Sequence, residues 1–219
     1  MANAVIKNIQ KLLNNIDFNA QPALIVGYGS IGKEIAKKLR DILKMRVTIL
    51  DKDNDKLLEA VPEGFATERD SRNAVKDKSL IVGATGTLSI GRSELLAMEH
   101  NVYLVSASSD QREIGLHELR ALCSENEEIP SGKKIGTKYI IQATNHVINL
   151  IADGYPINFW AEESIPNQVS DLIMTLIFLS AVDIAVNHDT LNIKINAKTV
   201  NELAKKWGIS DLYLDFYHG

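Results

Sequence analysis

Ala23-Leu24-Ile25-Val26-Gly27-Tyr28-Gly29-Ser30-Ile31-Gly32 is a short continuous apolar run that breaks into a glycine cluster. Such a run bounded by glycine reads as a buried β-strand. Directly after it, Ile31, Ile35, Leu39 and Leu43 stand four apart with Ala36 and Ile42 beside them, which is one face of a helix. The three glycines therefore sit where a strand turns into a helix, at the spacing G-x-G-x-x-G. A second β-rich run, Arg46-Val47-Thr48-Ile49-Leu50, ends at Asp51, nineteen residues past Gly32. Glycines at this spacing, in this context and with this acid, form a dinucleotide-binding fingerprint.

Each position has a physical reason. Gly27 permits the tight strand-to-helix turn, Gly29 lets the backbone approach a pyrophosphate, and Gly32 lets the helix lie close to the strand. Tyr28, Ser30 and Ile31 complete the loop, whose free N–H groups and positive helix dipole end face the phosphates. Asp51 is placed to accept hydrogen bonds from the adenosine ribose hydroxyls, and its charge favours NAD over NADP. Lys52 and Arg46 weaken that preference, because a nearby cation accommodates a phosphate.

Outward from this centre the chain alternates. Val5, Ile9, Leu12, Leu13 and Ile16 recur at helical spacing near the N-terminus. Asp53 or Asn54 caps a helix over 55–61. Residues 64–67 read as a short strand, 71–75 as a helical turn or two, and Ser79–Ala84 as a buried strand. Ser93 caps a short helix through Met98, Val102–Ser106 is another strand, and 113–122 another helix. Strand and helix in alternation predict an α/β fold with a doubly wound parallel sheet and right-handed crossovers. The loop Gly83-Ala84-Thr85-Gly86-Thr87 ends a strand on the cofactor side, and its small residues leave room for ligand. The polar stretch 124–137 reads as a surface loop. Short strands follow over 138–142 and 146–150, then a long helix over about 166–186, apolar on more than one side. Leu191–Ile195 is strand-like, and 199–207 a helix. The expected organisation is an N-terminal helix over 1–20, a Rossmann-type NAD-binding domain over 21–187, and a C-terminal extension over 188–219.

The chain has 219 residues, 45% hydrophobic and 24% charged, with a net charge of −4. A mildly acidic chain lacks the concentrated basic face that nucleic acid requires. Cys123 is the single cysteine, so no internal disulfide framework exists, and no Cys/His cluster has zinc-ligand spacing. The N-terminal twenty residues lack a leader pattern. The longest apolar run, Leu172–Val182, is too short for a membrane span. A cytoplasmic protein with no membrane partner is expected.

The glycine loop, written GYGSIGKE, is similar to the GYGxVGKG-type loop in the cofactor domain of the S-adenosylhomocysteine hydrolase family. Further ordered matches extend from about residue 20 to 186. Asp51 and Asp53 match a strand-terminal acid followed two residues on by aspartate. Ala84-Thr85-Gly86-Thr87 resembles a T-x-T-G loop. Asn149-Leu150, Gly154-Tyr155-Pro156 and Asn167-Gln168 resemble an NL pair, a G-H-P and an NQ that opens a long helix. The resemblance implies a Rossmann-type fold, NAD as cofactor, and contact of Asn149 with the nicotinamide carboxamide or ribose. It also places Ser106 at the start of the stretch equivalent to the family's N-x-G-H, here Ser106-Ala107-Ser108-Ser109. Two histidines of the family are thus replaced, one within that stretch and one by Tyr155. The family's substrate domain, largely N-terminal to the cofactor domain, has no counterpart in the twenty residues before the loop. Hydrolysis of S-adenosylhomocysteine needs a proton acceptor at the 3′-hydroxyl and a base for the adjacent C–H. The matching positions do not supply them, so no catalytic residue is assigned.

Three functions remain open: a non-catalytic or regulatory NAD(H)-binding protein, acting alone or with a separate substrate-binding chain; a small oxidoreductase; and a nucleotide-sensing module. The oxidoreductase would draw on Ser109, His146, Tyr155 and Glu163, with His146 as general base. Cys123 reads as structural, Trp160 and Trp207 as packing residues. The apolar long helix predicts a homodimer.

Overall fold

A computed structural model describes residues 1–99, 101–108, 110–129, 135–160 and 167–186, with 202, 204–206, 208, 209 and 211. The chain divides into two compact units, Met1–Ser164 and Ile165–Gly219.

The first unit is built on one eight-stranded sheet in the order β3-β2-β1-β4-β5-β8-β7-β6. Its parallel strands are β1 (Pro22–Val26), β2 (Arg46–Leu50), β3 (Ala66–Glu68), β4 (Leu80–Gly83), β5 (Val102–Ser106) and β8 (Val147–Ile151). The parallel, doubly wound sheet expected from the alternation is therefore present. Strand order reverses between β1 and β4, and ligands of such sheets bind outside the C-terminal strand ends at this switch point. β1 and β4 are almost wholly buried, which is why they read as unbroken apolar runs.

Helix α1 (Ala2–Leu12) lies on α2 (Ser30–Asp41), and the Asn8 amide donates to the Ile157 carbonyl at 2.7 Å. In α2, Gly32, Ile35, Ala36 and Leu39 form the buried stripe against the sheet. Asp53 caps α3 (Asn54–Ala60) by accepting from the Asp55 N–H at 2.9 Å. Asp70 does the same for the short α4 (Ser71–Ala74). At α5 (Arg92–Ala97), Gly91 rather than Ser93 is the N-cap: the Glu94 carboxylate reaches back to the Gly91 N–H at 3.0 Å and makes a hydroxyl cap unnecessary.

The stretch expected as a surface loop holds a strand instead. After α6 (Leu116–Leu122), β6 (Cys123–Glu128) runs antiparallel to β7 (Gly136–Ile141), which runs antiparallel to β8. Residues 124–128 are exposed, so this edge strand has no apolar face to betray it. Its glutamates are the kind of charge that discourages edge-to-edge association. Residues 130–134 of the expected loop lie outside the described residues.

In the second unit, α7 (Asn167–Val186) is as long as the sequence predicts. Ile173, Met174, Ile177, Phe178 and Ile184 on it are exposed, whereas Leu179 is buried with Ala204. Among the described residues, no helix is long and apolar enough to cross a membrane. The strand-like 191–195 lies outside the described residues; of 199–207, residues 202 and 204–206 are helical.

The tightest contact in the first unit joins α2 to β1. A Cβ on Gly32 would overlap the Gly27 carbonyl oxygen, which is backbone and has nowhere to move. Gly32→Ala is expected to destabilise the protein by about 3 kcal/mol, read as a lowered midpoint in denaturant titration with an unchanged slope.

Candidate functional site

The site begins with the turn between β1 and α2. Gly27 has φ +97°, a left-handed conformation that a side chain resists, and an added Cβ would lie 2.9 Å from the Ala84 carbonyl oxygen. The Gly27 N–H donates to Leu50 O at 2.8 Å and the Ala84 N–H to Val26 O at 2.8 Å, so the loops after β1, β2 and β4 converge. Gly29 differs from its neighbours: nothing stands within 4 Å of the position its Cβ would take. No side chain caps α2 and no acid lies in its first turn, so its leading N–H groups remain open to an anion.

Asp51 closes the ring. One carboxylate oxygen accepts from the Tyr28 N–H at 2.6 Å, the other from the Asp53 N–H at 2.9 Å. These bonds fix the carboxylate at the mouth of the loop while each oxygen keeps a lone pair for a ligand hydroxyl. Gly27, Gly29, Asp51, Lys52, Ala84 and Thr85 line one cavity of about 410 Å³, together with Leu88 and Ser89. That is within the range of small-molecule sites. Of the other expected residues, Ser30, Ile31 and Gly32 open α2, and Gly86, with φ +75°, completes the turn after β4.

The Tyr28 side chain points away, into the core, edge-on to Phe65 at 6.0 Å. Its hydroxyl donates to Glu63 at 3.3 Å, and burial together with the Glu63 charge pushes its pKa up to about 12. Lys33 and Lys37 pair with the same Glu63 at 2.7 and 3.0 Å, holding its carboxyl down to about 2. Lys33 also pairs with Glu59 at 2.7 Å, so α2 and the end of α3 are cross-linked behind the loop.

One functional residue escaped the sequence reading. Glu113 is fully buried beneath the loop after β4. Its carboxylate accepts from the Thr85 N–H at 2.6 Å, the Thr85 hydroxyl at 3.0 Å, the Ser89 hydroxyl at 2.6 Å and the Gly86 N–H. It thus shapes one wall of the cavity from behind. Nothing in its local pattern marks it, because its partners lie at least 24 residues earlier in the chain.

Several expected residues fall elsewhere. Arg46 starts β2, at the opposite edge of the sheet from Asp51, and donates to Ala20 O at 3.0 Å, so it has no part at the ribose end. His146 precedes β8, again at the wrong edge, buried against the Leu95 carbonyl at 3.1 Å and bonded to Thr144. It is a core histidine, not a base facing the crevice. Asn149 lies within β8, and its amide donates to Val102 O at 3.4 Å, at the end of β5 far from Ser106. It does not line the cavity. Ser106 is buried at the C-terminal edge, sharing a hydrogen bond with Ser108 at 3.1 Å.

Beside Ser106, Pro156 forms a bridge that brings in the segment after β8. Three successive residues, Ala152, Asp153 and Gly154, have φ of 53°, 50° and 81°. Thr137 and Gln111 hold this left-handed turn through Asp153, at 2.6 and 2.7 Å. It presents Tyr155, Phe159 and Trp160 to solvent, so Trp160 is not the packing residue expected. Ser109, Glu163 and Trp207 lie outside the described residues. Cys123 is a free thiol that donates to Arg120 O at 3.2 Å. Among the described residues, no His/Cys/Asp/Glu group could hold a metal ion.

Residues 2–163 match the model of the S-adenosyl-L-homocysteine hydrolase NAD-binding domain. The chain belongs to this family. The chain is 28% identical over 182 residues to an adenosylhomocysteinase of Thermoplasma acidophilum, covering 83% of this chain and 43% of that protein. It is 30% identical over 167 residues to an S-inosyl-L-homocysteine hydrolase of Methanopyrus kandleri, covering 76% of this chain and 38% of that protein. The chain spans less than half the length of these curated relatives. Its cofactor is NAD, as the family match establishes, and the open space at Gly29, where nothing stands within 4 Å of a Cβ, fits the close approach of a pyrophosphate to the backbone.

The cross-link behind the loop gives a pH prediction. Glu63 is held below its unfolded value, so its contribution is present above about pH 4.5 and fades as the pH falls towards 2. Thermal melts across pH 7 to 2 are expected to show Glu63→Gln less stable at neutrality, with the gap to the unsubstituted protein closing on acidification.

Proposed function

We propose that this chain binds NAD(H) across the switch point of its sheet and supplies the cofactor half of a site whose substrate half comes from a separate chain. The observation that carries this reading is the cavity in which the open Gly29 cradle and the tethered Asp51 face the same space. The pyrophosphate rests on the N–H groups of Gly29, Ser30 and Ile31, with Gly27, Tyr28 and Gly32 fixing the loop. Asp51 accepts from the adenosine ribose, and Lys52 flanks it. Ala84, Thr85 and Gly86 form the opposite wall. Ser106 lies on the nicotinamide side, where the bound cofactor would exchange a hydride with a substrate.

The described residues offer little for proton transfer there. The buried hydroxyls of Ser106 and Ser108 are poor bases, and His146 is at the other edge of the sheet. Hydrolysis of S-adenosylhomocysteine by this chain alone is therefore not expected. The exposed aromatics Tyr155, Phe159 and Trp160 beside the end of β5 support a separate substrate-binding chain on that side. The exposed apolar residues of α7 support a homodimer. We place the protein in the cytoplasm, consistent with its single free cysteine.

Calorimetric titration tests the reading. Unsubstituted protein is expected to bind NAD or NADH. Gly29→Ala is expected to stay folded, losing less than about 1 kcal/mol of stability, yet to lose binding. Asp51→Ala is expected to weaken binding at least tenfold, about 1.4 kcal/mol. Unchanged affinity in both variants would overturn the proposed site.

A further inference from the structure

We infer that Glu113 is a positioning residue for the dinucleotide, and that it acts by the reach and acceptor geometry of its side chain rather than by its charge. The inference rests on the dinucleotide reading above and adds to it a residue that sets affinity from behind the cavity wall.

Ala84, Thr85, Thr87, Leu88 and Ser89 line the cavity, and Glu113 does not. Yet residue 113 grips the loop at both ends. At the front, the N–H groups of Thr85 and Gly86 both donate to its Oε1, the first at 2.6 Å. At the rear, the N–H groups of Ser89 and Ile90 both donate to its main-chain carbonyl at 3.0 Å. Between these anchors Gly86 holds a left-handed φ of +75°. The path of the wall is thus fixed by one residue carried on the connection after β5.

Gly83 makes room for that grip. A Cβ on Gly83 would stand 2.8 Å from Glu113 Oε2 and 3.0 Å from Glu113 Cβ, so the side chain runs across the bare last residue of β4. Every partner of the carboxylate is neutral, and no ion pair reaches it among the described residues. Oε1 meets two N–H groups, which can only donate. Oε2 meets the hydroxyls of Thr85 and Ser89 at 3.0 and 2.6 Å, which can donate or accept. A glutamine satisfies the same four groups. Its carbonyl oxygen takes the N–H pair and its NH2 group donates to the hydroxyls. The hydroxyl protons then turn to other acceptors already in place, Thr87 O at 2.9 Å and Glu113 O at 3.3 Å. An aspartate falls short by one C–C bond, about 1.5 Å, and releases the buried N–H pair.

The test is calorimetric titration of NAD into unsubstituted protein, Glu113→Gln, Glu113→Asp and Glu113→Ala, at a temperature where circular dichroism shows each variant folded. Glu113→Gln is expected to bind within about threefold of the unsubstituted protein, and the Asp and Ala variants at least about tenfold more weakly. A role in stability alone would leave the affinity of a folded variant unmoved and would not rank Gln above Asp. Amide exchange on the unsubstituted protein without ligand keeps the inference open to refutation where the Asp and Ala variants do not fold. The Thr85 and Gly86 N–H groups are then expected to exchange at least about tenfold more slowly than in an unstructured chain. Exchange there at the unstructured rate overturns the inference. So do folded Asp and Ala variants that bind NAD as the unsubstituted protein does, and so does a Gln variant that loses as much affinity as Ala. In each of those cases the dinucleotide reading stands. Failure of NAD to bind the unsubstituted protein overturns that reading, and this inference with it.

Discussion

The contact between the Gly32 α-carbon and the Gly27 carbonyl is the constraint on which the rest of the site depends. With no side chain at Gly32, α2 lies close enough to β1 for the turn between them to shrink to a few residues. That turn requires the left-handed φ of Gly27. It sends the Tyr28 N–H towards Asp51 and leaves the first N–H groups of α2 facing the cavity. Because β1 is flanked by β2 and β4, the loops after all three strands meet at one point. The cradle is thus a consequence of how closely a helix is packed on a strand.

The support behind this loop is largely electrostatic. Glu63 gathers Tyr28, Lys33 and Lys37 from one side. Glu113 gathers Thr85, Gly86 and Ser89 from the other. The two acids differ in cost. Glu63 is partly exposed, so its pairs are screened by water and salt. Glu113 is fully buried, and its removal would take away the acceptor of the Thr85 and Gly86 N–H groups, each a cost of about 1–3 kcal/mol.

The centre of the fold was legible because its determinants are local. The apolar run before Gly27, the glycine spacing and the four-residue period after Ile31 each express short-range sterics. The Asp53 cap was legible for the same reason. What the sequence hid depends on contacts distant along the chain. Glu113 is one acid with no period around it, and its meaning comes from a loop that returns beneath β4. β6 is polar on both faces because it lies at the sheet edge, so it lacked the alternation that marks a strand. Arg46 and His146 are close in sequence to site residues but emerge at the opposite edge of the sheet. Proximity along a strand says little about which edge a residue faces.

The central claim is that a dinucleotide pyrophosphate rests on the N–H groups opened by the β1–α2 turn. Amide hydrogen exchange, with and without saturating NAD, tests it most directly. The account predicts slowed exchange at residues 28–31 and in the loop after β4, with no change around Arg46 or His146 at the opposite edge. Exchange at residues 28–31 unaffected by NAD, or protection confined to the opposite edge, would contradict it.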